Sequence, residues 1–130
     1  DLLLYRGDGS GGWLGSTRVG NGWGVFDALF STGDFDGDGN ADVLARQTDG
    51  ILRLYPGNGG GGWNAPRTVG NGWQVMTALA GPGNFDGQGG ADVLARNVNG
   101  NLVLYRGDGK GGWLGSGVVG NGWTGFTQIR

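Results

Sequence analysis

Neither cysteine nor histidine occurs in this chain of 130 residues. Their absence removes thiol nucleophiles, disulfides, zinc sites of the usual ligand type and His-based triads together. Positive charge is thin: nine Lys and Arg stand against eleven Asp and Glu, the net charge is -2, and no basic stripe runs along the sequence. Capture of a phosphate backbone has no electrostatic footprint here, so no nucleic-acid partner is expected. No hydrophobic run approaches the ~20 residues of a membrane span, and membrane insertion is not expected either. A helical period is lacking as well, and glycine every few residues would destabilise a helix. The chain opens on Asp1, without an initiator Met or a signal peptide, and reads as a mature or excised segment.

What is abundant is glycine, 34 residues of it, together with six Trp, five Phe and three Tyr. The glycines recur at fixed offsets beside Trp, Tyr and Leu, which marks them as turns between short elements rather than a low-complexity tail. The large rings supply the buried apolar area that a small fold needs. Three copies of one phrase organise both: Leu-x-Leu-Tyr, then Gly-x-Gly-x-Gly-Gly-Trp, then Val-Gly-Asn-Gly-Trp. Tyr5, Tyr55 and Tyr105 align at a spacing of 50 residues, as do Trp13, Trp63 and Trp113, and Trp23, Trp73 and Trp123. Such a period signifies stacked copies of one supersecondary unit. We divide the chain into a single array of a partial repeat 1–30 and repeats 31–80 and 81–130.

Short apolar runs bounded by Gly, Asn and Asp predict strands at Ala41 to Arg46, Ile51 to Tyr55, about Arg67 to Val69, and Val75 to Ala80. Leu52 and Leu54 share one face of the second run, Arg53 and Tyr55 the other. Asp49-Gly50 and Asn99-Gly100 sit between strand candidates and favour hairpin turns. The expected class is therefore all-β, with four short antiparallel strands per unit, the form of a β-propeller blade. At 130 residues the array holds 130/50, or 2.6, repeats, whereas a closed propeller takes at least about four blades. A β-trefoil-like three-fold barrel is the alternative, since three aromatic phrases are joined by two connectors.

The connector carries the definite chemistry. Asp34-Phe35-Asp36-Gly37-Asp38-Gly39-Asn40-Ala41-Asp42 places carboxylates at positions 1, 3, 5 and 9 of a tight loop. Calcium takes six to eight oxygens, and alternate Asp residues aim several at one centre, with the Asn40 backbone carbonyl and water as further donors. An EF-hand would need a bidentate Glu at position 12, where Ala45 stands in a predicted strand. The second copy, Asn84-Phe85-Asp86-Gly87-Gln88-Gly89-Gly90-Ala91-Asp92, keeps carboxylates only at Asp86 and Asp92, with amide oxygens at Asn84 and Gln88, and is expected to bind more weakly. The other readings of such a loop are a solvated Asp/Gly turn or an acid and base pair for catalysis.

These residues carry a family likeness. Gly33 to Arg46 resembles the FG-GAP/VCBS repeat of integrin α-subunit propellers and of many secreted bacterial proteins, and the Leu-Tyr-x-Gly-x-Gly-x-Gly-Gly-Trp phrase is similar to its actinobacterial form. The resemblance covers essentially the whole chain. It implies a calcium-stabilised β-propeller, commonly of seven blades, in an extracellular protein. By match to the motif, Asp34, Asp36, Asp38, Asn40 and Asp42 take the ligand roles, and Asn84, Asp86, Gln88, Gly90 and Asp92 form a weaker second set.

Two readings stand for the repeated Trp residues. Either each ring lies over bare glycine backbone, or some form a sugar-stacking surface, with Trp13, Trp63 and Trp113 beside Asp8, Asn58 and Asp108. A carbohydrate or cell-surface ligand would then be the partner. Arg6-Gly7-Asp8 and Arg106-Gly107-Asp108 spell an integrin-recognised tripeptide, but Pro56-Gly57-Asn58 in the middle copy marks it as a turn. Catalysis would fall to Asp, Tyr or the single Lys110, and no enzyme is expected. A structural role is the second hypothesis: open repeat arrays expose strand edges, so further blades or identical chains would complete this one as a ring or filament.

Overall fold

The computed structural model describes residues 1–129; Arg130, the last position of the third repeat, lies outside them. The chain is all-β and forms three antiparallel sheets. Strands β1 (Leu2–Gly7) and β2 (Trp13–Gly20) pair with each other alone. β3 (Phe26–Gly33), β4 (Asp42–Gln47), β5 (Leu52–Tyr55) and β6 (Arg67–Gly70) form a four-stranded sheet in chain order. β7 (Met76–Gly83), β8 (Asp92–Asn97), β9 (Leu102–Gly107) and β10 (Trp113–Gly120) form another. No closed barrel exists among the described residues. The sheets are phased differently from the sequence division: the run near Val75 to Ala80 opens the next sheet as β7 instead of closing its own.

The hairpins follow the turn residues. Between β4 and β5 the Gln47 N–H donates to Ile51 O at 2.8 Å and the Gly50 N–H to Gln47 O at 2.9 Å; Asn97 and Gly100 repeat both bonds at 3.0 Å. Gly50 holds φ at 90°, a conformation that costs an L side chain strain. On β5 the alternation is as expected, with Leu52 and Leu54 fully buried and Arg53 and Tyr55 half-buried. Each such Leu contributes about 1.5–3 kcal/mol through burial.

The two four-stranded sheets share one core. Phe35, Leu44, Leu52 and Leu54 from one side meet Ala91, Val93 and Ala95 from the other, with Trp73 between them. β3 runs beside β7, where the Thr32 hydroxyl donates to Asp92 O at 2.5 Å and accepts from the Gly83 N–H at 3.2 Å. Arg46 provides a further tie between units. Its guanidinium donates to Trp73 O at 3.2 Å, to Met76 O at 2.6 Å and to Asp27 Oδ1 at 2.7 Å. Arg96 does the same one repeat later with Trp123 O and Phe126 O.

The Trp23, Trp73 and Trp123 rings each open a 3-10 turn and lie over Gly20, Gly70 and Gly120. A Cβ at any of these glycines would run into the indole Nε1. Gly70→Ala is therefore expected to cost about 1–3 kcal/mol by overpacking against Trp73. A lowered urea midpoint at unchanged m-value checks it, and an unshifted midpoint would show that the ring moves aside freely.

Candidate functional site

The acidic loop spans the turn from β3 to β4. Asp34, Asp36 and Asp42 each bring a carboxylate oxygen to one centre, all within 4.8 Å of one another. The donors are oxygens only, the chemistry of a hard cation site. Asp38 stays outside that group: its Oδ1 accepts the Asn40 N–H at 2.8 Å. Asn40 turns its amide toward Gly59 on the β5 to β6 connection.

Backbone amides hold the loop in shape. Asp34 Oδ1 accepts from Gly37 at 2.7 Å and Asp38 at 3.1 Å, and Asp34 Oδ2 from Gly39 at 2.8 Å. Asp42 is the anchor, 2% exposed. Its Oδ2 accepts the N–H groups of Phe35 at 2.9 Å and Asp36 at 3.2 Å, while Oδ1 accepts Gly57 at 2.9 Å, tying the loop to the end of β5. Burial pushes the Asp42 carboxyl up from its ordinary value, against the pull of the Gly57 and Phe35 amides, and the Asp36 charge adds to the push. The cluster thus carries like-charge repulsion that a cation would relieve.

The second loop preserves the anchor and part of the turn bonding, with amides at Asn84 and Gln88 in place of the carboxylates of Asp34 and Asp38. Asp92, fully buried, accepts from Phe85 at 2.7 Å, Asp86 at 3.3 Å and Gly107 at 2.9 Å. Asn84 Oδ1 accepts the Gly87 N–H at 2.8 Å, and Asp86 Oδ1 that of Gln88 at 2.9 Å. Gly90 donates to Gly107 O at 3.0 Å.

The first loop also abuts the following unit. Phe35, fully buried, places its ring 5.0 Å from that of Trp113, and its carbonyl accepts the Gly111 N–H at 3.0 Å. Arg67 reaches both Asp36 Oδ2 and Lys110 O at 3.4 Å.

Two of the three sugar-stacking candidates are engaged between units. Trp63 donates its indole N–H to Val19 O at 2.6 Å, and Trp113 to Val69 O at 2.7 Å, so both rings bridge to the preceding unit. Trp13 alone is freely exposed, at 70%. Asp8, Asn58 and Asp108 cap their own turns, each accepting backbone N–H groups two and four residues ahead. Those bonds hold Asp8 and Asp108 below the ordinary carboxylate value, Ser10 and Gly12 acting on Asp8 and chiefly Gly112 on Asp108.

A carboxyl with a depressed folded-state value stabilises the fold above its unfolded value of 3.8. That contribution is lost as pH falls through the lower folded value. Asn58 forms the same turn without titrating, with both bonds at 2.9 Å. Asp108→Asn is thus expected to leave the fold intact while flattening the acid limb of stability below about pH 4. Urea midpoints across the acid range check this, and a variant with an unchanged acid limb would refute it.

The tie from the Trp63 and Trp113 indoles to carbonyls 44 residues away was not foreseen from the sequence. Its signal is the invariant Val-Gly that precedes each Asn-Gly-Trp. Arg46 and Arg96 were likewise missed, though both occupy the same place after Ala-Asp-Val-Leu-Ala. No protein-family model, curated protein or solved structure matches the chain.

Proposed function

We propose that the chain is a non-catalytic, calcium-stabilised β-propeller-type module of an extracellular binding or adhesion protein. The observation that carries this reading is the convergence of Asp34, Asp36 and Asp42 within 4.8 Å, in a loop that also meets the next unit. An ion there neutralises the cluster and stiffens the junction between units, so the metal serves the scaffold. Asp34, Asp36 and Asp42 supply the carboxylates, and Asp38 and Asn40 complete the shell by the motif resemblance. The second loop, with two carboxylates, is the weaker site.

Because the Trp63 and Trp113 N–H groups are engaged between units, the repeated Trp residues read as junction packing, and a carbohydrate or cell-surface ligand is assigned to other exposed surface. Calorimetric titration with calcium tests the ion. One strong site lost in Asp36→Asn supports the reading; absence of binding in the millimolar range refutes it.

Completion of the array by further blades or identical chains is the second reading. It is favoured by β1, whose Leu3, Leu4 and Tyr5 are 46%, 37% and 56% exposed although the matching residues of β5 and β9 are buried or half-buried.

A further inference from the structure

Three copies of one junction residue set lie in this chain, and their exposure depends on whether another unit lies beside them. At the junction between the first and second units, Trp23, Tyr55 and Trp63 cluster: the Trp23 ring is 4.4 Å from Tyr55 and 5.5 Å from Trp63. Trp73, Tyr105 and Trp113 repeat this at 4.5 and 5.7 Å. In both, the later Trp donates its indole N–H to a Val carbonyl of the preceding unit. The second junction also holds Phe35 against Trp113 and Gly107.

The third set is divided between the two ends of the molecule. Tyr5 and Trp13 touch each other at a ring separation of 6.0 Å and are otherwise open, 56% and 70% exposed. Their missing partners by the repeat are a Trp of the Trp23 type, a Phe of the Phe35 type and a Val carbonyl. At the far end Trp123, Phe85 and the Val119 carbonyl occupy those three places. Phe85 is 57% exposed whereas Phe35 is fully buried.

We infer that these two faces bind each other between copies of the chain. Trp13 and Tyr5 of one copy seat on Trp123 of the next, the Trp13 indole N–H donates to Val119 O, and Phe85 covers Trp13 beside Gly7. The inference rests on the reading of the chain as an array of like units. The occupant is a second copy because its two faces carry the two halves of the repeated junction in matching chemistry. Apolar rings meeting rings, with one hydrogen bond at the rim, suit such a contact.

Light scattering of the intact chain tests it. Mass is expected to rise with concentration, and Trp13→Ala or Phe85→Asp, each at a site exposed in the single chain, is expected to weaken association at least about tenfold. Each variant retains one intact face, so an equimolar mixture forms a dimer that does not grow further. A chain that stays monomeric to about millimolar concentration overturns the inference, as does association indifferent to both substitutions.

A tandem fusion of two chains through a copy of residues 31–50 separates this from the underlying reading. Shielding of Trp13 of the second half from acrylamide quenching in the fusion, with no association of separate chains, overturns only the inference. A Trp13 that remains quenchable in the fusion overturns the array reading too.

Discussion

Removing calcium with a chelator is expected to lower the unfolding midpoint by on the order of 10 °C, and Asp36→Asn to abolish that difference. Ligand at about a hundred times its dissociation constant adds about 2.7 kcal/mol to the folded state. For a domain of this size each kcal/mol moves the midpoint by roughly 3–5 °C. The source of the effect is local: the carboxylates of Asp34, Asp36 and Asp42 converge within 4.8 Å. Without a cation that cluster repels itself, and burial already holds the Asp42 carboxyl above its ordinary value. Asp36→Asn removes one negative ligand and its contact with Arg67, so the variant melts at the same temperature with and without calcium. Magnesium, which demands a smaller octahedral shell, is expected to protect less. Asp86→Asn, in the loop with only two carboxylates, should leave most of the calcium response in place. A wild-type midpoint unmoved by chelator would remove the ion from the account.

The strands and their turns were legible because their causes are local. Leu52 and Leu54 alternate with Arg53 and Tyr55 in the sequence as they do across the sheet, and Asp49-Gly50 sits where φ must turn positive. The repeat also told which residues would be equivalent. It did not tell where one sheet ends, because a period has no phase: Met76–Gly83 follows β6 closely in sequence yet pairs with β8. That choice is made at long range, by the Arg46 guanidinium on Trp73 O and Met76 O and by Trp63 reaching Val19. The same limit applied to the site. The carboxylate spacing pointed to Asp34, Asp36, Asp38 and Asp42 alike, though only Asp34, Asp36 and Asp42 cluster, and it ranked Asp42 as one more ligand, since nothing local reveals that its oxygens also face the amides of Phe35, Asp36 and Gly57. Similarly, an aromatic ring repeated on a glycine-rich turn has one appearance in sequence whether it meets a sugar or the neighbouring unit. The bond from Trp113 to Val69 O distinguishes them, and it depends on how the units stack.

The anchor role of the last loop aspartate can be separated from any ion by using the second loop. Asp92→Ala is expected to cost about 4 kcal/mol, a large part of the total for a domain of this kind, and to do so almost equally in calcium and in chelator, since this loop is the weaker ion site. Three N–H groups, from Phe85, Asp86 and Gly107, lose their shared acceptor. Asp92 is fully buried and its bond from Gly107 is buried with it, while those from Phe85 and Asp86 are part-buried. Each unsatisfied buried donor costs about 1–3 kcal/mol, and relief of the carboxylate's own burial offsets part of the sum. Asp92→Asn keeps one acceptor but turns an NH2 toward donors, and should fall between, near 2 kcal/mol. At the first loop Asp42→Ala combines both losses: in chelator it should match Asp92→Ala, and in calcium it should fall further below wild type by the ion's contribution. Urea midpoints for the variants under both conditions decide the matter. If the cost of Asp92→Ala disappears in chelator, the aspartate acts through a cation rather than the backbone. If it stays near 4 kcal/mol, this position of the repeat is held by the amides of Phe85, Asp86 and Gly107, which explains why the aspartate persists in a loop that has the amides Asn84 and Gln88 where the first has Asp34 and Asp38.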